Sequence, residues 1–490
     1  MEKRTRTAAF APVPVLSALA ALSVALILSA GSYGYHRDEL YFRMLPPAWG
    51  YVDQPPLAPF LARMSGALVA DSVWAERIPA IVFAVASVLV IALITREVGG
   101  GPLAQGLAAW GYAFGSITLV MGHVFLTASM DLFVWPALIL AVMRALLRER
   151  PWWWLIAGTI AGLSLYNKFL IAMLLAALAV GLLAAGPRAV VWSKWVLGAI
   201  ALALAIGLPN VLYQGATGWP QLAMGAALSA HNGADVRTTM WPFLLLMLGP
   251  PLVPFWVAGV AALARRRNWR PIRFLVVAFP ALLVFVWAAG AQYYYPYGML
   301  ATLYAIGCVP VAEFARRTRW RRVVVIAAIV SNSVVCVVIS LPAVPVGVLG
   351  STPIPGINAS SADQVGWPDY AGQVSRAVQG AGQLPGLVIL ASNYGEAGAL
   401  ERFGEGQLPA VYSGHNALYA LGPPPAAATA AIVVGAMLER VRPYFARCTI
   451  VDRLDNGVHV DNEEQDQPIA VCTGRLASWS IIWPALRHLD

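Results

Sequence analysis

The sequence is poor in charge. Asp, Glu, Lys and Arg make up only 12% of its 490 residues, while 59% are hydrophobic. Soluble domains carry about a quarter charged residues. A chain with half that share, spread along most of its length, is solvated mainly by lipid. It also lacks several kinds of machinery. There is no GxxxxGK(S/T) loop, which excludes an ATP-driven motor. No GxSxG elbow is present. No Cys and His set has zinc spacing, and His36 and His123 are too isolated to argue a metal. No internal repeat appears, nor any low-complexity tract beyond Ala-rich apolar runs. Basic residues outnumber acidic ones, 33 to 24, for a net charge of +9. In a soluble protein that excess suggests nucleic acid. Here most Arg and Lys fall in short loops between apolar runs, so membrane topology explains them better, and no nucleic-acid partner is expected.

A membrane-spanning helix needs about 20 mostly apolar residues. Eleven such segments are expected, near residues 11–30, 77–95, 103–121, 124–143, 152–167, 169–186, 193–213, 241–263, 273–290, 297–315 and 322–342. The first is read as a span and not as a cleaved signal, because no small-x-small site follows it and a long membrane domain does. Basic residues crowd alternate loops: Lys3, Arg4 and Arg6; Arg96; Arg144, Arg148 and Arg150; Arg188 and Lys194; the Arg265–Arg273 loop; and the Arg316–Arg322 loop. The segments between them hold only Arg37, Arg43, Arg63, Arg77, Lys168 and Arg237. This bias predicts a cytoplasmic N-terminus. An odd number of spans then puts the tail outside.

The expected domains are a membrane domain over 1–345 and an extracytoplasmic α/β domain over 346–490. The tail opens on a Pro/Gly/Ser-rich linker, Val346 to Ile357. Apolar runs follow at Leu387–Ser392, Ala430–Gly435, Cys448–Val451 and Ile469–Cys472, alternating with helix-like stretches at Glu396–Phe403 and Met437–Phe445. Strands alternating with helices suggest a small α/β fold. Cys308 and Cys336 lie in apolar runs and read as buried thiols. Cys448 and Cys472 would pair if the tail faces an oxidising compartment.

Polar groups in or beside a membrane domain are costly, which makes them functional candidates. The first expected outer loop reads Gly31-Ser-Tyr-Gly-Tyr-His-Arg-Asp-Glu-Leu-Tyr41. Asp38 and Glu39 there suit a general base or an orienting acceptor; the plainer reading is a solvated interfacial pair. Further along, Asp53-Gln54-Pro-Pro-Leu carries a Pro pair that rules out a regular helix across it and stiffens the backbone under Asp53 and Gln54. His123 lies in the second outer turn, and Asp131 lies about two turns into the next span. Tyr166-Asn167-Lys168 holds the only Lys on the outer side of the membrane domain. It would snorkel to water or bind an anion such as a lipid phosphate. Gln292-Tyr-Tyr-Tyr-Pro-Tyr297 is a tyrosine cluster of the kind that anchors at interfaces. Carboxylates, a cation and aromatic rings on one face suit group transfer from an anionic lipid donor.

The order of these motifs resembles bacterial glycosyltransferase family 39: a first span, Asp-Glu in the first outer loop, Asp-Gln-Pro-Pro-Leu, then Asn-Lys between spans five and six. Its relatives include the protein O-mannosyltransferases and the lipid A aminoarabinose transferases, which share the GT-C fold. Asn393-Tyr-Gly-Glu-Ala-Gly398 and Ser413-Gly-His-Asn416 are similar to segments of bacterial members, which brings His415 into view. The resemblance implies a polytopic helical GT-C protein in a bacterial plasma membrane. It implies a polyprenyl-phosphate sugar donor and a lipid, glycan or protein acceptor. Asp38 matches the family's catalytic acidic position, where it would act as base in an inverting transfer, and Glu39 its neighbour. Lys168, aided by Arg37, would hold the donor phosphate. Asp53, Gln54, His123, Asp131, Asn167, Tyr295 and His415 would line the substrate. No cofactor is expected, and a divalent cation stays compatible. The chain departs from the eukaryotic mannosyltransferases in having no large domain between spans seven and eight, which puts a protein acceptor in question. Two rival readings remain: a non-catalytic transporter of lipid-linked sugar or polysaccharide, and an enzyme of the same fold whose tail binds a partner instead of shaping the site.

Overall fold

The structure, a computed structural model, describes residues 7–404 and 408–489; Lys3, Arg4 and Arg6 lie outside the described residues. Two compact units emerge. The first comprises Met1–Ala30, Gln54–Leu57 and Arg77–Leu341, and the second Gly31–Asp53, Ala58–Glu76 and Pro342–Asp490. Unlike a division at residue 345, this one groups most of the first long loop with the tail.

The first unit is helical. Among the described residues, seven helices are long and apolar enough to cross a membrane, or nine if the bent pairs Pro102–Ala113 with Ser116–His123 and Pro220–Leu246 with Pro250–Arg265 each count as one span. Two shorter apolar helices, Trp153–Ser164 and Ile171–Ala185, occupy the fifth and sixth expected segments. Each of the eleven expected segments therefore falls on a helix or a bent pair, and the protein is a polytopic helical membrane protein. The eighth differs in extent. Its helix starts at Pro220 and not near 241, and runs on through Pro242 to Leu246.

The bend at Gly249 has an identifiable cause. Gly249 takes φ 105°, open only to glycine at low cost, and Pro250 and Pro251 follow it. The Leu248 carbonyl freed there accepts from Asn332 Nδ2 at 2.8 Å, which satisfies the backbone where water is scarce. Elsewhere helices meet through small residues. A Cβ on Gly158 would lie 2.3 Å from the Ala199 carbonyl oxygen, and one on Gly259 2.1 Å from that of Leu303. Without a hydrophobic drive between helices in lipid, such close backbone approach supplies the packing energy. Glu97, 1% exposed, pairs with Arg144 at 3.2 Å and with Arg148.

The second unit is built on a five-stranded mixed sheet of β1 (Leu387–Ala391), β2 (Val411–Tyr412), β3 (Ala430–Val434), β4 (Phe445–Arg453) and β5 (Pro468–Arg475), in the order β2-β1-β3-β5-β4. The first three run parallel, while β5 and β4 pair antiparallel. β3 is buried at every position, as a central strand covered on both faces must be. Four apolar runs seen in the sequence became β1, β3, β4 and β5. Cys448 and Cys472 face each other across β4 and β5 and form a disulfide. Two expectations change. The Val346–Ile357 linker contains two short helices, Val346–Leu349 and Ile354–Ile357. The stretch Met437–Phe445 is broken into Leu438–Val441 and a 3-10 turn at Arg442–Tyr444, because Pro443 cannot continue the helix.

Candidate active site

In the second unit the first-loop residues fold into a helix, Arg37–Met44, hereafter the loop helix. A capping box starts it: His36 Nδ1 accepts from the Asp38 amide at 3.1 Å, and Glu39 Oε2 accepts from the His36 amide at 2.7 Å. Both satisfy donors that a helix start leaves orphaned. Glu39 is fully buried and is engaged as a cap. From Tyr35 to Phe42, Asp38 is the one residue that is not buried. The Asp-Glu pair thus splits into a structural carboxylate and an accessible one.

A second helix, Tyr394–Phe403, hereafter the tail helix, lies against the loop helix. Asn393 caps it: its side chain accepts from the Glu396 amide at 2.9 Å, and Glu396 Oε2 accepts from the Ser392 amide at 2.7 Å. Its glycines permit the contact. A Cβ on Gly398 would lie 2.8 Å from Leu40 Cβ, and one on Gly395 would lie 3.0 Å from Arg37 Cβ. This approach brings the Tyr394 hydroxyl to Asp38, where it donates to Oδ1 at 2.9 Å. The Tyr41 hydroxyl donates to Asp53 Oδ1 at 3.0 Å and accepts from the Ala417 amide at 3.1 Å. The two tyrosine rings lie 4.6 Å apart. Two carboxylates are therefore each held by a phenol, and the phenols lie against each other. Burial pushes the Asp53 carboxyl up to about 7, with the nearby Asp38 charge acting in the same direction against the Tyr41 hydrogen bond. Burial also raises the Tyr394 hydroxyl well above its ordinary value, with Asp38 acting the same way, so it remains a donor.

Arg37 and His415 flank this arrangement. Arg37 is held by Glu463 at 2.5 Å and Glu464 at 3.4 Å, and its guanidinium lies 5.3 Å from the Tyr394 ring centre. Its charge is committed to those acids. His415 stacks on Tyr394 at 4.7 Å and on His488 at 4.5 Å, and its Nδ1 accepts from the Tyr394 amide at 3.1 Å.

In the first unit Asn167 and Lys168 occupy the turn after Trp153–Ser164, where both amides donate to the Ser164 carbonyl at 2.9 Å. The Asn167 side chain donates to the Thr127 carbonyl at 3.0 Å and lies 3.4 Å from Asp131 Oδ1. The Lys168 ammonium sits 4.9 Å from the Tyr295 ring centre, within cation–π range. Asp131, Tyr294, Tyr295, Trp135 and Leu170 line one cleft. The structure thus gathers four expected residues, Asp131, Asn167, Lys168 and Tyr295. A cation, an amide and phenols are groups that bind a phosphate; the cleft beside them measures about 20 Å³, room for one water. His123 has other duties. It is buried between Ser29 Oγ at 3.3 Å and Arg77 Nη1 at 3.1 Å, and Arg77 also donates to the Ala30 carbonyl at 2.9 Å. Gln54 is buried in the same unit. Among the described residues no group of three or more His, Cys, Asp or Glu is placed to hold a metal ion.

Sequence reasoning passed over Tyr394, Tyr41, Glu463 and Glu464. Tyr41 lay three residues after Asp38, one helical turn away, and would have been visible had the loop been read as a helix. Tyr394 stood inside a quoted motif whose Asn-x-x-Glu spacing is a cap signature. Glu463 and Glu464 carried no local signal.

A family model described as dolichyl-phosphate-mannose-protein mannosyltransferase matches residues 53–213. No curated protein sequence matches the chain. The fold is similar to that of ArnT from Cupriavidus metallidurans bound to undecaprenyl phosphate, at TM-score 0.62 and 13% identity over 94% of this chain and 98% of that one. The apo state of that protein matches at TM-score 0.57 and 14% identity, over 94% and 97%. The archaeal oligosaccharyltransferase AglB from Archaeoglobus fulgidus, in complex with an inhibitory peptide and a dolichol-phosphate, matches at TM-score 0.51 and 14% identity, over 88% and 70%. At these identities the likenesses establish the fold, and the family match adds the chemistry class. Residues 53–213 match the model of that mannosyltransferase family, and the chain is a membrane glycosyltransferase with the fold of these structures.

Proposed function

We propose that the protein transfers a sugar from a polyprenyl-phosphate donor to a hydroxyl acceptor on the outer face of a bacterial plasma membrane, with inversion at the anomeric carbon. The observation that carries this reading is the family match over 53–213, the stretch that contains Asp53, Asp131, Asn167 and Lys168. The ligands bound to ArnT and AglB, undecaprenyl phosphate and dolichol-phosphate, favour the same donor class. The excess of Arg and Lys in alternate loops supports the orientation.

In this reading the acceptor oxygen attacks the anomeric carbon as Asp38 takes its proton. The bond from that carbon to the phosphate oxygen breaks, and its electron pair leaves with the polyprenyl phosphate. Lys168 offsets the charge gathering on the phosphate, with Asn167 and Tyr295 beside it. Arg37 is left to Glu463 and Glu464. The acceptor is any hydroxyl that reaches Asp38, on a lipid, a glycan or a protein.

The test is release of free polyprenyl phosphate by purified protein supplied with a labelled polyprenyl-phosphate sugar and envelope extract as acceptor source. Asp38→Asn should lower turnover by about a hundredfold or more, the scale of a lost general base. Lys168→Ala should raise KM for the donor and lower kcat. Near wild-type turnover in both folded variants overturns the assignment of roles. Movement of intact donor across a vesicle membrane without phosphate release would support a transporter instead.

A further inference from the structure

We propose that Tyr394, a residue of the tail, is a positioning residue for the transfer: its hydroxyl fixes the Asp38 carboxylate through Oδ1 and so makes the tail helix part of the active site. This rests on the reading of Asp38 as the base.

The geometry goes beyond what anchoring one helix to another requires. The Tyr394 ring is held on several sides at once, by Tyr41 at 4.6 Å, by His415 at 4.7 Å and by the Arg37 guanidinium at 5.3 Å. Its backbone amide is fixed on His415 Nδ1 at 3.1 Å. The cap at Asn393 fixes where the helix begins. The result of all these contacts is one directed hydrogen bond, 2.9 Å to one oxygen of the only carboxylate on the loop helix that is not buried. A carboxylate with one oxygen tied by a permanent donor presents the other in a fixed direction. Pre-setting that direction removes rotational freedom the reaction would otherwise have to freeze. Asp38 is flanked in the chain by Arg37 and Glu39, and its charge acts on His36, Asp53 and Tyr394. Of these, Tyr394 donates directly to the Asp38 carboxylate.

The consequence is testable in the full-length protein by steady-state release of polyprenyl phosphate. Tyr394→Phe keeps the ring and removes the hydroxyl. It should lower kcat by about ten- to a hundredfold, the scale of a hydrogen bond to a charged group, while KM for the donor stays within about twofold. In an Asp38→Asn background the same change should cost less than about threefold, because the group it positions is already disabled. Tyr370→Phe, which removes a phenol hydrogen-bonded to Asn462 and Asn456 in the same unit, should lower thermal stability without changing kcat. If Tyr394→Phe fails to fold, O-methyltyrosine at 394 keeps the ring and its oxygen but cannot donate; a fall in kcat of about tenfold or more there supports the proposal, and unchanged kcat overturns it. The two ideas fail differently. An active Asp38→Asn variant removes the base and the positioning role together. An inactive Asp38→Asn with a fully active Tyr394→Phe, or full additivity of the two changes, overturns the positioning role alone.

Discussion

Gly398→Ala pits helix propensity against packing. In the middle of a helix this change ordinarily gains about 1 kcal/mol. Here the new methyl would lie 2.8 Å from Leu40 Cβ and 2.9 Å from the Leu40 carbonyl carbon and oxygen. Two of those three atoms are backbone, so no side chain can swing aside. Ordinary contact begins near 3.4 Å, which requires the two helices to part by roughly half an ångström or more. Overpacking of this kind costs about 1–3 kcal/mol, and the rigid neighbour places it at the upper end. The net expectation is a loss of about 1–2 kcal/mol after the propensity gain. The shift also displaces Tyr394 from Asp38, and a misplacement of this order can lower turnover up to a hundredfold. Gly380 is the internal control: it lies in the helix Trp367–Ala381 with nothing within 4 Å of its added Cβ. Gly380→Ala should hold or raise the unfolding temperature with unchanged turnover. The assay is thermal unfolding in detergent paired with donor turnover. A Gly398→Ala protein as stable and as active as wild type refutes the close-contact account of the tail motif.

Two further predictions concern the second unit. The Glu396 carboxyl is pushed by burial up to about 8, with Glu464 acting in the same direction. The folded state then keeps a proton that the unfolded chain loses near pH 4.5, so stability falls as pH rises from about 4.5 to about 8. Glu396→Gln should flatten this slope and gain most over wild type near pH 8, as measured by unfolding midpoints between pH 5 and 8.5; parallel slopes would contradict it. Reduction of Cys448–Cys472, which are 24 residues apart, should destabilise the unit by about 3 kcal/mol. A reductant titration of the unfolding temperature reads this directly, and an unchanged midpoint would count against it.

The membrane helices were legible because lipid forces a signal that no other solvent does, a long apolar run for each crossing. Even the bend at Gly249 fell inside an expected span, although the helix before it begins earlier than expected. The strands of the tail were legible for the same reason in miniature: β1 and β3 are runs of Val, Ile, Leu and Ala with no polar break. The cluster of Asp131, Asn167, Lys168 and Tyr295 was readable as a set because each is a costly group beside apolar sequence. What escaped was long-range. Asp38 and Tyr394 are separated by 356 positions, and no local pattern pairs a phenol with a carboxylate over such a distance. The roles of Glu39 and Arg37 were hidden by the same gap, since a cap and an ion pair with residues 463 and 464 look like a free acid and a free base in the sequence. His123 read as a lining residue, yet its partners Ser29 and Arg77 lie in segments with no motif at all.

In the proposed reaction the protein cleaves a sugar from polyprenyl phosphate and passes it to a hydroxyl, with Asp38 taking the proton. The most direct measurement is mass-spectrometric detection of free polyprenyl phosphate, together with the glycosylated acceptor, from purified protein and a defined polyprenyl-phosphate sugar. The account predicts that wild type forms both in equal amounts and that folded Asp38→Asn forms neither above about one hundredth of that rate. Equal release by Asp38→Asn and wild type would contradict it.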